Sequence, residues 1–377
     1  MPLGRRELRI LTLRAVTLTI TLIIVVLLTS IIVTGTGYDT IILDSIITSE
    51  IQALSQELRA RNPPPPPEEV EKILKERREE LIKIYGLDKP TYIRVFDNFL
   101  RTLTLDLKAI SDDVAQVAGL RPPIPVGEAI AVVLPRTLIM ITLAYIISAL
   151  IAIPLGPFIA YRRGTLLDKT LITYAALVNA LPIWWIAMIS IFIFGFYLNV
   201  APWSYHAIVR YISDLSEHLR LLILAGDISA IRLIAGDIVN IVYYSYLPII
   251  VVTFATLGGW IYSARAIAIR VVTEDYVVAA RAKGLPERTV LGKYIIRVIA
   301  GPILTFVILG LAGSIGGFII TETVFDWPGM GFLFYVAISS GDSPTVLGLV
   351  YVTTLVYIVA RFTLEVLYVV LDPRVRL

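Results

Sequence analysis

Residues 274–293 read EDYVVAARAKGLPERTVLGK. This polar, basic stretch lies between two runs that are long and apolar enough to cross a bilayer, and it is too charged to cross one itself. It opens with Glu274, Asp275 and Tyr276, then sets small residues (Ala279, Ala280, Ala282) beside strong donors (Arg281, Lys283). Gly284 is placed to reverse the chain by taking φ > 0, or to admit another backbone at close range. Leu285-Pro286-Glu287 reads as a restart, because proline suits the first helical turn and glutamate its positive end. The stretch is therefore helix, glycine turn, helix, projecting from a membrane into water. That shape suits docking to a soluble partner; the competing reading is a solvated basic loop.

The chain has 377 residues, 57% of them hydrophobic, where soluble domains sit nearer 45–50%. Long uncharged runs confirm the membrane class. A net charge of +3 gives no reason to expect nucleic acid as a partner. There is no cysteine, so disulfides and thiolate chemistry are excluded. His206 and His218 are the only histidines; they read as loop residues, with a two-histidine metal site as the alternative. No G-x-x-x-x-G-K-[ST] phosphate loop occurs and no nucleophile–base set stands out, so no cofactor and no enzymatic activity are expected of this chain.

Outward from the loop (273–297), the flanking spans are 247–269 and 299–320. Further spans read at 137–160, 171–198 and 345–370, and a first span follows the basic residues Arg5, Arg6 and Arg9, so that 1–34 holds the N-terminus and span one. The first apolar run is longer than the core of a cleaved secretory signal and is read as uncleaved. Short loops rich in Arg and Lys, at 162–169 and 273–297, belong on the cytoplasmic side, as do both termini. The 35–136 insert and the 201–245 loop then fall outside. Within the insert, Pro63–Pro67 reads as a stiff spacer. Glu68–Tyr85 reads as a helix with an apolar stripe of Val70, Ile73, Leu74, Leu81 and Ile84, stopped by Gly86. Gly310, Gly313, Gly316 and Gly317 give span five a smooth face, for packing or for subunit contact. Arg361 and Glu365, four apart in span six, read as an ion pair, with a proton relay as the alternative. Trp327-Pro328-Gly329 reads as a tight turn at the outer interface.

Residues 275–285 resemble the cytoplasmic coupling loop, the EAA loop, of ABC-importer permeases, and within them the dipeptide/oligopeptide (nickel) branch. That branch carries D-Y-x-x-x-A-R-A-K-G-L, present as Asp275-Tyr276 and Ala280-Arg281-Ala282-Lys283-Gly284-Leu285. Val278 stands where the general pattern has its first glutamate. Glu322–Gly331, ETVFDWPGMG, is similar to the branch's E-T-V-F-S-W-P-G-L-G turn and marks Glu322, Phe325, Trp327, Pro328 and Gly329 as outer-gate candidates. Gly86-Leu87-Asp88-Lys89-Pro90 with Arg94 is similar to a G-L-D-K-P…R-Y segment, and Leu371-Asp372-Pro373-Arg374 to the branch's terminus. The branch has Asn and Asp where Arg361 and Glu365 stand. The likeness covers 85–98 and 125–377.

The resemblance implies an all-α polytopic membrane protein with six transmembrane helices, the type I ABC importer permease fold, a partly helical extracytoplasmic insert after helix 1, and a permease core over 137–377. It implies one of two permease subunits in the cell membrane, paired with a second, homologous one, two cytoplasmic ABC ATPases that carry ATP and Mg, and an extracytoplasmic substrate-binding protein. The cargo of the branch is peptides, nickel chelates or oligosaccharides; pathway aromatics such as Tyr145, Trp184 and Trp185 would stack on cargo or pack the core. The alternatives are a stand-alone secondary transporter, which calls for ionisable sites at mid-membrane, and a membrane-anchored ligand sensor, which needs one span.

Overall fold

A computed structural model describes residues 5–60, 65–109, 111–120, 124–202, 204–314 and 318–371. Pro63 and Pro64 of the spacer, Trp203, Gly316, Gly317 and the 372–377 motif lie outside the described residues. Among the described residues, five helices are long and apolar enough to cross a membrane: 9–35 within α1 (Arg5–Gly35), α6 (Val126–Tyr161), α10 (Ala230–Val272), 287–314 and 343–366. A bent helix pair makes a sixth if it is counted as one span, and the chain is an all-α polytopic membrane protein. The contacts divide the chain into two compact units, one built from 12–131 and 336–355, the other mainly from 132–335.

The first unit holds the insert, which is mostly helical: α2 (Tyr38–Ala60), α3 (Pro67–Ile84), α4 (Thr91–Thr104) and α5 (Asp112–Ala118). Its one small sheet among the described residues pairs β1 (Lys108–Ala109) antiparallel to β2 (Ile124–Pro125), Lys108 opposite Pro125. α3 starts with Pro67 in its first turn and Glu68 and Glu69 behind it, and Gly86 at φ 69° ends the run. Leu81 from the expected stripe is buried, but Ile84 is 62% exposed. The branch-like segment supplies an anchor: Arg94 pairs with buried Asp39 and donates to Thr40 Oγ1 at 3.0 Å. Residues 336–355 are tied in by Tyr38, whose hydroxyl donates to the Ile338 carbonyl at 2.8 Å, and by Asp342, whose carboxylate accepts from the Ser111 amide at 2.8 Å.

In the second unit, the 171–198 segment is not one straight span. α7 (Leu166–Ala180) meets α8 (Ile183–Ser190) and its π-helical extension (191–197) at 98°. Pro182 is the cause: it fixes its own φ and drives Leu181 out of the helical region, to φ −96° and ψ 134°. Trp184 and Trp185 follow the bend directly. The 201–245 loop is also largely helical, in α9 (Ile208–Ala225) and the first turns of α10. There His218 Nδ1 lies 2.6 Å from Asp237, so this histidine bridges two helices rather than sitting free in a loop. Span five ends as a helix, α13 (Arg297–Ser314), short of residue 320, and a separate α14 (Ile319–Phe325) follows.

Helices α6 and α10 cross backbone to backbone. A Cβ at Gly156 would stand 2.4 Å from Ala264 Cβ, so only glycine fits. Span five makes a similar approach at Gly310, whose Cβ would fall 2.7 Å from the Tyr145 ring, while Gly313 faces open space. The glycine row is therefore divided: one member packs and one does not. Tyr145 is itself buried, edge-on to Trp260 at 5.3 Å, which makes it core rather than pathway wall.

A buried ion pair locks the basic turn after α6 to α10. Arg265 donates through Nε and Nη2 to Asp168 at 2.6 and 3.0 Å, and the Gly164 amide donates to the same carboxylate at 2.9 Å. Truncating one partner strands the other away from water. Asp168→Ala should therefore lower stability by about 3 kcal/mol, seen as a drop in the thermal unfolding midpoint in detergent, and the double variant Asp168→Ala/Arg265→Leu should recover part of the loss.

Candidate functional site

The 273–297 stretch folds as read. α11 (Asp275–Ala282) is followed by Gly284 at φ 72°, then α12 (Glu287–Thr289) runs through a π-helical turn (290–296) into α13. Of the two uses open to Gly284, the positive φ is the one realised, since nothing lies within 4 Å of where its Cβ would be. Glu274 has extended backbone angles and precedes the helix as its cap position, and Asp275 adds charge to the positive end. α11 turns Val277 and Ala280 inward, onto a cluster with Ala264, Ala268 and Val271 of α10 and with Ile295, Ile299 and Ile303 leading into α13. Leu285 packs on its edge. The loop is thus bolted to the two helices it joins.

The opposite face is open. Tyr276, Val278, Ala279, Ala282 and Lys283 are exposed, an arrangement of small side chains around one cation. Arg281 points elsewhere. Its guanidinium lies 5.0 Å over the Tyr161 ring at the end of α6, and its Nε stands 3.2 Å from Glu287. Arg281 therefore organises the loop internally, holding α11 to α12 and to α6. Lys283 makes no ion pair among the described residues. The two basic residues of the A-R-A-K run, adjacent in type and spacing, have separate roles, and Tyr161 is the partner that sequence alone did not supply.

The second candidate, 322–331, is a buried turn. Phe325, Trp327 and Glu322 are fully buried. Trp327 is thus packed in the core of its unit rather than anchored at an interface, because Tyr205, edge-on to Phe325 at 5.3 Å, and neighbouring core residues cover the turn. Asp326 ends α14 in the left-handed conformation, φ 51°, which Asp tolerates better than most, and its carboxylate accepts from Ser204 Oγ at 2.6 Å.

At the centre is the Glu322 carboxylate. It accepts from the Gly331 and Phe332 amides at 2.8 and 3.1 Å, capping α15 (Met330–Ser339), and from Thr137 Oγ1 at 3.1 Å. Thr137 in turn accepts from the Met330 amide at 2.6 Å, and Arg136 Nη1 donates to the Pro328 carbonyl at 3.2 Å. Gly329 is there because a Cβ would stand 2.4 Å from both Glu322 and Thr137 oxygens; Gly331 leaves room for the Ile319 backbone. Burial pushes the Glu322 carboxyl up to about 7, against the pull of its N–H and O–H donors. Arg136 was legible only as the end of the 35–136 insert and Thr137 as the start of an uncharged span. In span six, Arg361 and Glu365 stand 3.5 Å apart, an i,i+4 pair with the arginine about half exposed.

Known proteins share this architecture in sequence. The description of binding-protein-dependent transport system inner membrane components matches residues 152–377, a range that holds both the 273–297 loop and the buried turn. The chain is 30% identical over 301 residues to the dipeptide transport system permease protein DppB of Escherichia coli (strain K12), covering 80% of this chain and 86% of that one. It is 27% identical over 308 residues to the oligopeptide transport system permease protein AppB of Bacillus subtilis (strain 168), covering 81% and 86%. To the di/tripeptide transport system permease protein DppB of Pseudomonas aeruginosa (strain UCBPP-PA14) it is 29% identical over 314 residues, covering 81% and 89%. The chain belongs to the binding-protein-dependent transport system inner membrane components, as a permease subunit of an ATP-binding-cassette importer.

Proposed function

We propose that the chain forms half of the path by which peptides are imported, and that it couples this path to separate cytoplasmic ATPases. The observation that carries the coupling reading is the two-faced loop: Val277 and Ala280 fixed to helices α10 and α13, Ala279, Ala282 and Lys283 left open. Small residues let a partner groove come close, and Lys283 offers it a charge-assisted bond. Closure of the ATPases would move α11 as a rigid lever and tilt its two helices, the two-state element that alternating access requires. The names of the relatives favour peptides as cargo. A second, homologous permease, two ATPases carrying ATP and Mg, and an external binding protein complete the importer. Both termini and the loop would face the cytoplasm, the insert and the Glu322 turn the other side, where that turn would brace the outer gate.

Co-expression with its transport partners and uptake of labelled di- and oligopeptides into proteoliposomes tests the reading; uptake without ATP, or a purified chain that retains no ATPase, refutes it. Lys283→Glu should reduce ATPase retention about tenfold, the worth of one charge-assisted bond, with unfolding temperature unchanged, whereas Arg281→Ala should lower that temperature. Gly284→Val forces a β-branched residue into the left-handed region at about 1–2 kcal/mol; ATP hydrolysis should continue while uptake collapses, and Gly284→Asn should keep most of both.

The carboxyl of Glu322 gives a pH signature. Its folded pKa is raised above the usual carboxylate value, so the stability it lends is complete in acid and is lost as pH climbs through about 7. The wild-type unfolding midpoint should fall as pH rises from the ordinary carboxylate range to about 7 and level off above it, and Glu322→Gln should flatten that slope.

A further inference from the structure

The branch-like segment 86–94 plays no part in the coupling just described, yet it builds one side of a half-open cleft of about 520 Å³ in the insert unit. Gly86, Lys89 and Arg94 line it. Arg94 is neutralised by Asp39 and Lys89 by Asp97, the latter at 2.6 Å. Three further cations face the cleft: Lys83, Arg101 and Lys108. All three are exposed and none makes an ion pair among the described residues. The lining carboxylate left to oppose them is Asp106, so three positive charges meet one negative. The cleft therefore selects for an anion, and its size fits a compact one.

Its position says which kind. Asp39 in its wall lies just beyond Gly35, where the first span ends. Ser343 and Pro344, which also line it, open the last span. The cleft thus sits at the mouth of two membrane helices, at the depth of lipid headgroups. Leu43, Ile84 and Leu347 give the lining an apolar part; Leu43 and Leu347 are largely buried, and Ile84, the stripe residue that burial did not claim, is open. A soluble oxyanion has no use for such a wall; the glycerol end of an acyl chain does.

We propose that this cleft seats the phosphate headgroup of an anionic phospholipid, with Lys83, Arg101 and Lys108 as its ligands and the Leu43–Ile84–Leu347 wall against the start of its chains. Lys and Arg bind phosphate by charge-assisted hydrogen bonds, and each basic residue at a membrane surface contributes an attraction that loss of the charge removes. The pairs Arg94–Asp39 and Lys89–Asp97 are self-neutralised and leave the other cations to the ligand. The assignment does not depend on which side of the membrane the insert occupies.

The test uses the purified full chain in a neutral detergent, with short-chain phosphatidylglycerol, short-chain phosphatidylcholine and inorganic phosphate as separate additions. Retained lipid is counted by native mass spectrometry and the unfolding midpoint is followed. Phosphatidylglycerol should be held at least about tenfold more tightly than phosphatidylcholine, and it alone should raise the midpoint. Lys83→Gln/Arg101→Gln/Lys108→Gln should abolish the preference, and Lys83→Arg/Arg101→Lys/Lys108→Arg should keep it. Equal retention of the two lipids overturns the proposal, as does a neutralised variant that still prefers phosphatidylglycerol. Inorganic phosphate matching phosphatidylglycerol at equal concentration would also overturn it, since it assigns the cleft to a free oxyanion. The wild-type comparison of the three additions decides the matter even if the neutralised variant does not fold.

Discussion

Two helices that touch through bare backbone set the mechanics of this permease. With no side chain between Gly156 and the Ala264 turn, α6 and α10 cannot slide past each other without a clash. The Asp168–Arg265 pair ties the start of α7, just past the end of α6, to α10 as well. α10 then delivers its end, Val271, into the cluster that carries α11, while α6 delivers Tyr161 under Arg281. A displacement of α11 is therefore a displacement of α6 and α10 together. Packing of this kind needs small residues, since in a bilayer close contact rather than hydrophobic burial drives helices together.

The buried turn follows the same economy with polar groups. Glu322, on α14, accepts from three donors on α6 and α15, and Gly329 beside it leaves room for the Glu322 and Thr137 oxygens. A carboxyl so enclosed is costly when charged and useful when its donors are fixed. It holds the first turn of α15 against α6, a link that neither the apolar pattern nor helix propensity would make.

The sequence was most informative where chemistry is local. Gly284, Pro286 and the AARAK run declare their turn and their helices from neighbours within a few positions, and the structure follows them. Pro182 is the counter-example: 171–198 reads as one span, and the structure bends it there by 98°. What was hidden depends on partners far along the chain. Thr137 and Glu322 are 185 positions apart, so their bond leaves no trace in spacing. Arg281 could not be separated from Lys283 until Tyr161 was placed beside it. Trp327, read from type as an interfacial residue, is enclosed because the chain before α9 folds over it.

The bent span has a consequence for the medium around it. Its halves are α7, 15 residues, and the 183–197 segment, α8 continued by a 7-residue π-helical end. At about 1.5 Å per residue each reaches roughly 22 Å, short of the ~30 Å hydrocarbon slab. At 98° to each other they cannot both stand along the bilayer normal, so the elbow between them interrupts the helical hydrogen bonding of the segment. Hydrocarbon offers the freed peptide groups no hydrogen bonds. Pure lipid is therefore the wrong surrounding for the peptide groups that the break at residues 180–183 leaves unpaired.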